Sequence, residues 1–103
     1  DEMYLKHAGK KIWPKGSMYY RLDTGDIVPI ELTMEVEEGW TEIELWDFDY
    51  LSLNDFLGTF KFKVDDSPGG YSTSMILVEK NSTPSYILEW EILTKEGLSV
   101  LDN

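Results

Sequence analysis

Three aspartates within one short stretch are the residues of this chain best placed to do chemistry. The stretch reads Glu44-Leu45-Trp46-Asp47-Phe48-Asp49-Tyr50-Leu51-Ser52-Leu53-Asn54-Asp55-Phe56-Leu57-Gly58. Asp47 and Asp49 stand two apart at the end of an alternating run, and residues two apart on a strand point to the same side. Asp55 returns at the start of the next run, after a loop long enough to curl back. Carboxylates converging at such a junction, partly desolvated and unpaired, would repel one another by on the order of several kcal/mol. A hard divalent cation removes that cost. Ca²⁺, which takes about 6–8 oxygen ligands in flexible geometry, suits the arrangement better than Mg²⁺, which holds to an octahedron and keeps its water. The plainer alternative is a solvated turn in an acidic protein. The stretch is not an EF-hand loop, since it lacks the central glycine and the closing glutamate.

Other chemistries find little support. Cysteine is absent, so thiolate metal sites, cysteine nucleophiles and disulfides are excluded. His7 is the single histidine, and a lone histidine beside a strand is more often structural than a ligand. No serine stands in a nucleophile-elbow context. Paired carboxylates can hydrolyse glycosides, but that needs a substrate cleft and unequal pKa values, and acids on tight loops offer little cleft. The expectation is a protein that is not an enzyme. Asn81-Ser82-Thr83 is a glycosylation sequon followed at once by Pro84, and carries little weight.

The elements that must position the aspartates read as strands. Ile30 to Val36 alternates apolar and polar without a break, Phe60 to Val64 does the same, and Tyr86, Leu88, Trp90 and Ile92 share one face. Met3–His7, Met18–Leu22, Thr41–Asp47 and Ser74–Lys80 complete seven candidate strands. Turn signals fall between them at Gly9, Pro14-Lys15-Gly16, Asp23-Thr24-Gly25, Glu38-Gly39, Ser67-Pro68-Gly69-Gly70 and Asn81 to Pro84. The pattern predicts an all-β antiparallel sandwich of seven or eight strands. At 103 residues the chain fits one domain over 1–103, with 94–103 as a tail or as part of a first metal-binding loop. It begins at Asp1 without an initiator methionine, as expected of a processed protein or of a domain from a longer one.

The stretch Trp46 to Gly58 resembles the third calcium-binding loop of C2 domains, matching ungapped at Asp47, Asp49, Asp55 and Gly58. The resemblance implies Ca²⁺ as the cofactor and Asp47, Asp49 and Asp55 as primary ligands. It also implies carboxylates from a first loop. Asp1-Glu2-Met3-Tyr4-Leu5-Lys6-His7 is similar to the segment that follows that loop, with Glu2 or Asp1 at the liganding position. Leu88 to Asp102 looks like the strand that should precede it, which would make the chain a circularly permuted variant with Asp102 as a further ligand. The alternative is that Tyr86 to Leu93 is simply the final strand. In membrane-docking C2 domains apolar loop tips enter lipid, a role that falls here to Tyr50, Leu51 and Leu53. Those side chains could instead pack onto Trp40 or Phe56. The expected function is a non-catalytic module that docks a larger protein, plausibly to a phospholipid membrane.

Charge bounds the partners. Nine basic residues against 20 acidic ones give a net charge of -11 and a pI near 4.3, a field that repels nucleic acid. An anionic phospholipid surface approached through Ca²⁺, or another protein or domain, remains as partner. Lys6, Lys10, Lys11 and Lys15 cluster near the N-terminus, but are thin for a lipid-binding patch. The tryptophans at 13, 40, 46 and 90 support a second reading, a protein- or carbohydrate-interaction sandwich in which calcium is structural or absent. No run approaches the ~20 apolar residues needed to span a bilayer. A secreted bacterial protein or one peripheral to a membrane is the expected setting.

Overall fold

The computed structural model describes residues 2–23, 25–77 and 86–93. They form an all-β antiparallel sandwich with eight strands among the described residues: β1 (Glu2–His7), β2 (Lys10–Trp13), β3 (Tyr20–Arg21), β4 (Gly39–Asp47), β5 (Asp55–Val64), β6 (Gly69–Ser74), β7 (Ile76–Leu77) and β8 (Ile87–Ile92). One sheet runs in the order β2-β1-β4-β5-β7, with β3 also pairing β1, and β6 and β8 make a second, two-stranded sheet. The tight β1–β2 hairpin turns on Ala8 and Gly9, both at positive φ (51° and 78°), the backbone that a two-residue turn needs to match the twist of its strands.

The period-two pattern becomes the core. Met3 and Leu5 on β1, Ile43 and Leu45 on β4, and Phe60, Phe62 and Val64 on β5 all point to one face and are buried together with Trp13 and Met75. Leu88, Trp90 and Ile92 of β8 pack against them from the other layer, as do Leu22, Val28 and Ile30. The ladder between β4 and β5 slips once: Leu45 faces Gly58 while Trp46 faces Phe56, so Leu57 is the extra residue of a bulge. Gly58 lies under β7. A Cβ there would meet the Ile76 carbonyl oxygen and stand 2.8 Å from Met75 Cγ, so this glycine is required for close strand packing as well as matching a loop motif.

Several expectations change. Over Ile30–Met34 burial alternates as the sequence does, while Val36 is exposed; the segment forms no ladder among the described residues, and Glu31 takes a positive φ of 52° that breaks the extended chain. The expected strand over Met18–Leu22 shortens to β3. Lys10–Trp13, read as turn-flanked, is an edge strand. The Pro68-Gly69-Gly70 turn signal gives way at Gly69, where β6 begins, and among the described residues of the expected Ser74–Lys80 strand Ile76 and Leu77 extend the large sheet. Residues 78–85, with Lys80 and the sequon, and the segment 94–103 lie outside the described residues.

A carboxylate pole with an apolar tip

β1 starts where β4 ends, and this adjacency brings the first acids together. Glu2 N–H donates to Asp47 Oδ1 at 3.2 Å, and Phe48 N–H donates to the Glu2 carbonyl at 2.7 Å. Glu2, Asp47 and Asp49 then line one shallow polar hollow together with Arg21 and Phe48. Arg21 stands opposite Glu2 in the β1–β3 register and reaches its carboxylate with Nη2 at 4.0 Å. The guanidinium is largely exposed, at 75%, so this contact contributes little stability. Asp47 lies at the mouth between the layers. The Tyr86 hydroxyl has its pKa pushed up, first by burial and then by the nearby Asp47 charge.

Asp49 organises the loop. Its Oδ1 accepts from Leu51 N–H at 2.8 Å and its Oδ2 from Ser52 Oγ at 2.7 Å. The Ser52 hydroxyl, then the Leu51 amide, hold its carboxyl below the ordinary value of 3.8. Asn54 ties the loop down from both sides, accepting from Asp49 N–H and donating to the Tyr4 hydroxyl, each at 2.9 Å. With the base of the loop fixed, its tip projects: Leu51 is 97% exposed and Leu53 is 89% exposed. Tyr50 is exposed too, but its ring stands edge-on to Phe48 at 4.7 Å and to Tyr19 at 6.1 Å. Its hydroxyl bonds to that of Tyr19, which raises its pKa. Tyr50 therefore rests on Phe48 and Tyr19, and Leu51 and Leu53 are left bare.

Asp55 is placed differently. It is the register partner of Asp47 across β4 and β5, where paired side chains share a face, but it is exposed and does not line the hollow. Among the described residues no group of three or more acidic or histidine side chains is gathered tightly enough to hold a metal ion. Asp1 and Asp102, the other expected ligands, lie outside the described residues.

The remaining candidates resolve into local roles. His7 Nδ1 lies 2.9 Å from the Glu42 carbonyl. Lys6 lies over the Trp46 ring at 4.9 Å, and Lys11, its register partner across β1 and β2, bonds to the Ser17 carbonyl. Trp13 is core, Trp46 packs on Phe56, and Trp90 packs on Phe62 and Tyr71. Trp40 is the exposed one, at 68%. Sequence reasoning missed Phe48, which lies between the two aspartates, and Arg21 and Tyr19, which reach the pole through the pairing of β3 with β1; Arg21 as a lone cation after two tyrosines carries no local signal. Compared with protein-family models, curated proteins and solved structures, the chain matches none of them.

Proposed function

We propose that this chain is a non-catalytic, C2-like module that binds Ca²⁺ at the Asp47 end and there docks a larger protein to an anionic phospholipid surface. The proposed ligands are Asp47, Asp49 and Asp55, joined by Glu2 or Asp1 and by Asp102. The reading is carried by one coincidence. The pole where Glu2, Asp47 and Asp49 line a common hollow is also the pole where two leucines stand almost wholly in water.

The physics supports each half. At -11 the metal-free domain is repelled by anionic lipid, whose attraction needs several cations near the surface. Each bound Ca²⁺ adds two positive charges at this pole alone and leaves the distant acids in place. The Asp49 oxygens that would face the metal also accept from Leu51 N–H and Ser52 Oγ, coupling the ion to the conformation of the leucine tip. Burying a leucine contributes about 1.5–3 kcal/mol, enough for reversible docking and too little for permanent anchoring.

The test is cosedimentation with vesicles containing phosphatidylserine. The domain is expected to pellet in Ca²⁺, to stay in solution in EGTA, and to pellet less when Leu51→Ser and Leu53→Ser are combined. A domain that binds Ca²⁺ yet stays in the supernatant at every calcium level would leave the metal structural and remove the membrane role.

A further inference from the structure

We propose that a groove at the opposite end of β4, floored by Trp40, docks an arginine-bearing peptide segment of a partner protein, independently of Ca²⁺. The groove is lined by Val36, Glu37, Glu38, Trp40, Glu42 and Lys61, among others. Its two large apolar side chains are open to solvent, Trp40 at 68% and Val36 at 37%. An indole left in water offers a large, stiff contact area, and such side chains anchor protein interfaces disproportionately often.

The ring already holds a cation. Lys61 Nζ lies 5.3 Å from the Trp40 centroid, within the range where the negative ring face attracts positive charge. Around it acid outnumbers base: Glu37, Glu38 and Glu42 form no ion pair among the described residues, against Lys61 in the groove and Lys63 opposite Trp40 in the β4–β5 register. The His7 ring is held on the Glu42 carbonyl at the groove's side. A surface with an aromatic floor, an aliphatic neighbour and surplus carboxylates complements a segment that alternates cationic and aliphatic side chains. Arginine fits better than lysine, because its planar guanidinium stacks on an indole while its edge donates to carboxylates. The nine residues of β4 separate this groove from the Asp47 pole by roughly 25 Å, so a partner here would leave the other end free.

The test is calorimetry of the full chain, in EGTA, with an acetylated and amidated pentapeptide alternating arginine and leucine. A glutamate–leucine peptide serves as control. Saturable binding of the arginine peptide alone is expected. Trp40→Ala should weaken it about tenfold, and Trp40→Phe, which keeps a ring, by less. Glu37→Gln with Glu38→Gln should weaken it severalfold. Glu89→Gln with Glu91→Gln removes the same charge from the outward face of β8 and should leave affinity within about twofold. Trp40 is outside the core, so the Ala variant should keep the wild-type circular dichroism spectrum. Absence of binding, a Trp40→Ala variant that binds like wild type, or equal losses from the two glutamate pairs would each overturn the proposal.

Discussion

The two ends of the β4–β5 pair are built on one ladder and handle charge in opposite ways. Toward the Trp40 end the outer face is interleaved: Glu42 stands opposite Lys61, Trp40 opposite Lys63, and Lys6 of β1 opposite Glu44. At the Asp47 end acid stands opposite acid, Asp47 against Asp55, with Glu2 and Asp49 close by. The nearest cation is Arg21 at 4.0 Å from Glu2, and hydrogen-bond donors of the chain itself supply the rest. Like charges directly across an antiparallel pair destabilise it. Strand pairing alone therefore does not explain the Asp47 end; the proposed Ca²⁺ site would relieve that repulsion.

The comparison can be broken first at its middle. Leu45 is buried between the ends at 4% exposure, and Leu45→Ala should cost about 2–5 kcal/mol through lost burial and a cavity. Both ends should lose function together on heating, as urea denaturation and Tm would reveal. Asn54→Ala cuts only the carboxylate loop, removing its ties to Tyr4 and Asp49, for about 1 kcal/mol. Amide exchange should quicken at residues 49–54 and stay unchanged near Trp40.

Asp55→Asn sharpens the contrast through its sign. In EGTA it should raise stability by about 0.2–1 kcal/mol, by relieving the cross-strand repulsion with Asp47, while reducing the response to Ca²⁺. A plain solvated turn would show no change in the response to Ca²⁺. The smallest effect is one of pH. Because the folded Asp49 carboxyl titrates below 3.8, its turn bonds contribute fully above the unfolded value and are lost as pH falls through the lowered folded one. The Leu51 and Ser52 amide resonances should move in that acid window and stay still between pH 5 and pH 8.

Much of this was legible before any coordinates. The alternation of Thr41–Asp47 and Phe60–Val64 marks the central ladder because both segments have one buried face, and period two records that directly. The same signal over Ile30–Val36 foretells inward side chains only as far as Met34, and not whether the backbone finds a partner, since burial and hydrogen bonding are separate requirements. The edge strand over Lys10–Trp13 escaped because only four residues stand between the Gly9 and Pro14 turn signals, too few to show an alternation. At the site, Asp47 and Asp49 line one hollow, but β4 ends at Asp47, so the strand rule behind their i, i+2 spacing does not itself place Asp49. The place of Asp55 depends on the bulge at Leu57, which no local pattern announces, and the shelf of Tyr19 and Phe48 beneath Tyr50 joins residues far apart in the chain.

Calorimetric titration of the purified domain with Ca²⁺, wild type beside Asp49→Asn, tests the central claim most directly. The account predicts saturable binding by the wild type, a higher Tm in millimolar Ca²⁺ than in EGTA because the ion binds only the folded loops, and affinity lower by about tenfold or more once one ligand charge is removed. No heat of binding, with the same Tm in EGTA and in Ca²⁺, would contradict it.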